Sequence, residues 1–232
     1  LAQTTHVGLV VATSIAQGLP AIEGTKAVSE QMYQWIKAHR RDGLISKSGV
    51  HTGLYSSGDA DWGGMHSITG ETRSRTAEYH EYNGMCIDAH SSLQKTISSK
   101  YCGPEEPLLV ATSSGNAEKI SAGATISRAM HLSYLAEELG LPIERPLKNG
   151  IDANAAMGFL QNTGGAGRMK HLDIRKGWIQ MARDNKLVEY HKVDGKVIQA
   201  DFFTKLLDKT EYDRAYARLA YVPSLHNVME LD

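Results

Sequence analysis

Four acidic residues stand where a metal-binding chain needs them. Asp201 lies in the stretch Gln199 to Leu207, which reads as a short helix and surrounds the carboxylate with Ala200, Phe202 and Phe203. A carboxylate buried without a partner costs several kcal/mol or titrates to neutral, so this acid calls for something positive, and a metal ion qualifies. Three more acids fall where strands end or helices begin: Asp59 in Ser57-Gly-Asp-Ala-Asp-Trp62, Glu118 at the end of Ala111-Thr-Ser-Ser-Gly-Asn-Ala-Glu118, and Asp152 in Asn149-Gly-Ile-Asp152. The four could form one cation site with all-oxygen ligands, the donor set that hard divalent cations prefer.

The elements that would position these acids follow from spacing and turn chemistry. Leu54 to Ser57 reads as a first strand leading to Asp59. Arg73–Tyr82 and Met85–Ser92 flank Asn83-Gly84, a two-residue hairpin signal, because both central positions of a type I′ turn need positive φ. A further strand is expected over Leu108–Ser113. Asn116 to Leu139 carries Ala122, Ile126, Ala129, Leu132, Ala136 and Leu139 at steps of three and four, a helical stripe closed by Gly140 and Pro142. Glu118 lies one turn before Ala122 on the same face. Leu147–Ile151 reads as a strand, Ala153–Gln161 and Met169–Asn185 as helices, and Leu187–Val193 as a strand before the Asp201 helix. Upstream, His6–Ala16 is apolar and open to either helix or strand, whereas Thr25–Arg41 has the spacing of an amphipathic helix.

Composition narrows the classes. The chain has 232 residues, 41% of them hydrophobic, and a formal charge of −1, which suits one α/β domain with an appendage. It bears no global basic signature, so any nucleic-acid contact must be local. Cys86 and Cys102 form no CxxC, against a zinc site or disulfide framework, and the default setting is intracellular and reducing. The chain carries neither a long apolar run nor a signal peptide, so no membrane is expected. Leu1 in place of Met suggests a piece of a longer chain.

The order β-β-β-α-β-α-α-β-α, with acids on the first strand, first helix, fourth strand and last helix, resembles the ribonuclease H layout. Six boxes sharpen this to the end of a copia-type retrotransposon polyprotein: Asp59-Ala-Asp-Trp62, Arg73-Ser-Arg-Thr-Ala77, Leu93-Gln-Lys-Thr96, Thr112-Ser-Ser-Gly-Asn-Ala-Glu-Lys119, Lys170-His-Leu-Asp-Ile-Arg175 and Ala200-Asp-Phe-Phe-Thr-Lys205. Residues 25 to 44 also resemble the helix preceding ribonuclease H in such polyproteins. The resemblance implies a ribonuclease H-like fold with a mixed five-stranded sheet flanked by helices. It divides the chain into residues 1–46, similar to the end of reverse transcriptase, a ribonuclease H-like domain over 47–210, and a tail over 211–232.

The resemblance further implies two Mg²⁺ ions, with Mn²⁺ possible, roughly 4 Å apart and held by Asp59, Glu118, Asp152 and Asp201. The implied substrate is the RNA strand of an RNA–DNA hybrid, read through backbone shape and 2′-hydroxyls. The implied partners are the rest of a reverse transcriptase polyprotein and a larger assembly, in a cytoplasmic virus-like particle or the nucleus. Ser113, Ser114, Asn154 and Gln161 are near enough to the expected site to reach a backbone. Arg168, Lys170, His171, Arg175 and Lys176 form a local basic cluster that could grip phosphates or serve only as a solvated helix face.

The chain departs from the family pattern in several places. Ala153 separates Asp152 from Asn154, Lys119 replaces an aromatic, and Asp194-Gly-Lys196 stands where cellular and retroviral relatives carry a histidine; His171 and His191 are the remaining candidates for proton transfer. A catalytically silent structural subunit derived from such an element is the alternative function.

Overall fold

The structure, a computed structural model, describes residues 13–14, 23–39, 43–44, 53–64, 73–94, 111, 113–161, 173–205, 207–219 and 221–222. In chain order these hold α1 (Glu23–Ala38), β1 (Gly43–Leu44), β2 (Leu54–Asp61), β3 (Arg75–Tyr82), β4 (Met85–Leu93) and α2 (Ser114–Glu138). There follow β5 (Leu147–Ile151), α3 (Asn154–Gln161), α4 (Asp173–Asp184), β6 (Val188–Lys192), a 3-10 turn (Gln199–Phe203), α5 (Lys209–Arg218) and β7 (Tyr221–Val222).

Asn83 and Gly84 take φ values of 50° and 76°, as the hairpin signal requires. They join β3 to β4, and the Asn83 carboxamide accepts a 2.8 Å bond from the Gly53 N–H, fastening the turn to the start of β2. The five-stranded sheet runs β4-β3-β2-β5-β6, so the strand bearing Asp59 is central. β2 pairs antiparallel with β3 and parallel with β5, and β5 pairs parallel with β6, giving a mixed sheet.

Alternation along the strands sends side chains to two cores. On one face Leu54, Leu147 and Val188 pack against Ala122, Ile126 and Ala129 of α2 and against Leu160 and Ile179 of α3 and α4. On the other, Ala77, Tyr79 and Ala89 meet Phe202, Phe203 and Leu219. The contact of α2 with β2 depends on Gly58: a Cβ there would sit 2.3 Å from the Thr125 hydroxyl. Without it, the Ser121 hydroxyl reaches the Asp59 carbonyl at 2.7 Å.

Three expectations change. Ala111 and Ser113 belong to no strand, the rest of Leu108–Ser113 except Ser113 and Ala111 lies outside the described residues, and Ser113 instead caps α2 by accepting from the Asn116 N–H at 3.2 Å. The Asp201 segment is a single 3-10 turn, Gln199–Phe203, rather than a helix to Leu207, and the Thr204 N–H bonds back to the Asp201 carbonyl at its end. The apolar stripe of α2 is buried through Ala129 and half-buried at Leu132 and Ala136, and its last member, Leu139, is 69% exposed.

Sequence pattern gave no sign of the packing at the two ends. Trp35 of α1 meets Tyr216 of α5 edge-on at 6.0 Å, and β1 pairs with β7. The apolar run His6–Ala16 lies outside the described residues apart from the helical Thr13 and Ser14. Cys86 is buried and unbridged, while Cys102 is outside the described residues. Among the described residues no helix is long and apolar enough to cross a membrane.

Candidate metal centre

The parallel pairing of β2 and β5 sets the first two acids side by side. Ser57 is in register with Gly150, and Asp59 and Asp152 each follow two residues later, so the period of two aims both carboxylates to the same face. Glu118 comes from the N-terminal part of α2, which packs on the opposite face, against Gly58. Oxygens of Asp59, Glu118 and Asp152 all lie within 4.8 Å of one another.

Asp59 is 5% exposed, and the Thr204 hydroxyl donates to its Oδ2 at 2.8 Å. Burial pushes its pKa up to about 6, the Thr204 bond opposes this, and the neighbouring charges of Asp152 and Asp201 add to the rise. Glu118 is pushed up to about 8, chiefly by burial and then by Asp59 and Asp152, against a backbone hydrogen bond from Ala60 and the Lys205 charge. Burial also raises Asp152, with Lys192 pulling the other way and Asp201 reinforcing the rise. Asp152 Oδ1 is buried with no hydrogen-bond partner. Three crowded carboxylates, one with an idle buried oxygen, cannot all ionise without added positive charge. That donor set fits a divalent cation with oxygen ligands, held by Asp59, Glu118 and Asp152.

Asp201 stands beside this group rather than in it. Its side chain is 37% exposed, against the burial expected from its apolar neighbours, and Lys205 Nζ donates to its Oδ1 at 2.5 Å. It remains close enough to raise the pKa of both Asp59 and Asp152.

The chain resembles a retrotransposon polyprotein region. It is 26% identical over 141 residues to the "Retrovirus-related Pol polyprotein from transposon TNT 1-94" of Nicotiana tabacum, a match that covers 61% of this chain and 10% of that protein. The chain thus spans about a tenth of the length of the curated relative it matches. No protein-family model matches it.

The other expected contacts fall as follows. Ser113 and Ser114 are exposed at the start of α2, and Asn154 and Gln161 are exposed at the two ends of α3. Arg168, Lys170 and His171 lie outside the described residues; Arg175 and Lys176 are in α4, with side chains that also lie outside them. His191 faces Glu189 at 3.5 Å and does not join the acids.

Several supporting residues had gone unnoticed. Gln94 donates to Thr76 Oγ1 at 3.1 Å and to the Ala117 carbonyl at 2.9 Å, pinning the turn that bears Glu118 to the end of β4. The Trp62 indole N–H donates to the Ala111 carbonyl at 2.9 Å, and Lys192 donates to the Asp152 carbonyl. Only the Asp201–Lys205 pair had a legible signal, its spacing of four residues.

Proposed function

We propose that this chain is a ribonuclease H-like, metal-dependent endonuclease that cleaves the RNA strand of RNA–DNA hybrids during reverse transcription of a retroelement. The observation that carries the reading is the convergence of Asp59 on β2, Asp152 just past β5 and Glu118 on α2 to within 4.8 Å of one another. The strand order, the position of Asp201 beside the triad and the similarity to a Pol polyprotein support it.

Asp59, Glu118 and Asp152 would hold Mg²⁺ or Mn²⁺, with Asp201 completing the negative field from its paired position. Bound divalent cations supply the charge neutralisation that lets water attack a phosphodiester and the 3′ oxygen leave. The protein's part is to keep the acids at fixed separation: Thr204 orients Asp59, Gln94 and Ala60 hold Glu118, and Lys192 fixes the Asp152 backbone. Ser113, Ser114 and Asn154, all exposed, would make the sugar and phosphate contacts that a reader of 2′-hydroxyls and backbone shape needs. Arg168, Lys170, His171 and Arg175 are proposed as the phosphate-gripping arm. In the chain's full setting the partners are the remainder of a reverse transcriptase polyprotein and its particle.

The test is cleavage of a labelled RNA–DNA hybrid with Mg²⁺ or Mn²⁺, beside Asp59→Asn and Asp152→Asn. Cutting of the RNA strand that both substitutions abolish is the expected result. A folded protein that cuts with neither metal would instead be the silent structural subunit.

A further inference from the structure

The 3-10 turn and α5 enclose a cleft of about 360 Å³. Its rim carries Lys196, Lys205, Arg214 and Arg218. Two carboxylates, Asp201 and Glu211, also line it, so four cations against two anions leave a net charge of two positive in a chain whose total is −1. Lys205 is engaged by Asp201, and the Arg218 guanidinium donates to the Lys196 carbonyl. Among the described residues the side chains of Lys196 and Arg214 have no ion-pair partner.

Packing holds these cations in place. Tyr212 of α5 lies 5.3 Å from the Phe202 ring and stacks on Tyr216 at 5.6 Å, and Leu219 is 1% exposed in the core below the turn. Arg214 and Arg218, one turn apart, therefore face the cleft together. The cleft adjoins the acids: Asp201 and Lys205 belong to its wall, and so does Gly195, where a Cβ would sit 3.1 Å from Asp152 Oδ2.

A nucleic-acid strand brought to an acidic centre has phosphates on either side of the reacting one. Metal neutralises the acids only locally, and the flanking phosphates need positive charge of their own. We infer that the cleft between the 3-10 turn and α5 is an anion-binding site, taking backbone phosphates of the strand that the acidic centre cuts. The inference rests on the ribonuclease reading and adds to it the substrate contact made by the C-terminal helix.

Binding of a fluorescently labelled RNA–DNA hybrid to the full chain, with Ca²⁺ in place of Mg²⁺, tests it across a salt titration. Lys196→Gln and Arg214→Gln should each lower the steepness of log affinity against log salt by about one, and Arg214→Lys should restore it. Lys209→Gln, on the same helix but paired with Asp213 and outside the cleft, should leave the slope unchanged. Circular dichroism melting confirms that the exposed-site variants remain folded. An unchanged slope in Arg214→Gln and Lys196→Gln, while the wild type binds, overturns the cleft and leaves the nuclease reading standing. An equal loss in Lys209→Gln also overturns it, by making the effect one of diffuse charge. A wild type that binds no hybrid removes both readings.

Discussion

The Thr204 hydroxyl donates to Asp59 Oδ2 at 2.8 Å across 145 residues of sequence, tying the 3-10 turn to the central strand. Thr204 is fully buried. Thr204→Val keeps the shape and removes the donor, leaving a buried carboxylate oxygen unsatisfied. The expected cost is about 1–3 kcal/mol in urea unfolding. Divalent metal affinity, followed by calorimetry, should fall as well, because Asp59 then protonates more readily.

The acids also set a pH dependence. Asp59 rises from 3.8 to about 6 and Glu118 from 4.5 to about 8 on folding. The folded state thus holds protons that the unfolded state has released, so their stabilising contribution is complete below about pH 4 and is lost as pH rises towards 8. Metal-free protein should melt at progressively lower temperature over that window. Added Mn²⁺ should raise the melting temperature, more at pH 8 than at pH 6, since bound metal must displace those protons. A metal-induced shift independent of pH would show that these carboxylates are not the ligands.

Asp59→Asn separates stability from chemistry. It removes one of three crowded charges yet keeps an oxygen to accept from Thr204. The metal-free variant should melt at or above the wild-type temperature at pH 8, and the metal-induced shift should shrink towards zero.

Phe203 is fully buried and stacks on Tyr79 with ring centroids 6.3 Å apart. Phe203→Ala is expected to cost about 3–5 kcal/mol. It should loosen Asp201 and Thr204 with it, so nuclease activity should drop under conditions where most of the protein is still folded.

Gly58→Ala places a methyl group 2.3 Å from the Thr125 hydroxyl and 3.2 Å from its Cβ. Overpacking of this kind costs about 1–3 kcal/mol. Adding Thr125→Ala removes the nearer atom, so the double variant should recover part of the loss, and a double-mutant cycle should show strong non-additivity.

The parts of the fold written in local pattern were legible beforehand. Asn83-Gly84 announces its turn, the step of three and four announces α2 over nearly its whole length, and the acids Asp59, Glu118 and Asp152 come together. The apolar neighbours of Asp201 imply a buried carboxylate, whereas its side chain is 37% exposed and pairs with Lys205, one turn away. α5 went unread because its packing residues, Tyr212 and Tyr216, are polar enough to look like surface until Phe202 is seen beneath them. Thr204, Gln94 and Trp62 act through contacts between distant segments, and such contacts leave no periodicity in the chain.

The central place of β2 also governs when the site can exist. Its antiparallel partner β3 follows closely, but its parallel partner β5 arrives some ninety positions later, with Tyr55 set against Lys148, and the Thr204 bond later still. Distant pairings of this kind form slowly. The hairpin of β3 and β4 is thus available as an early scaffold, whereas the acidic centre is assembled at the close of folding. A chain caught midway already has most of its sheet and none of its chemistry.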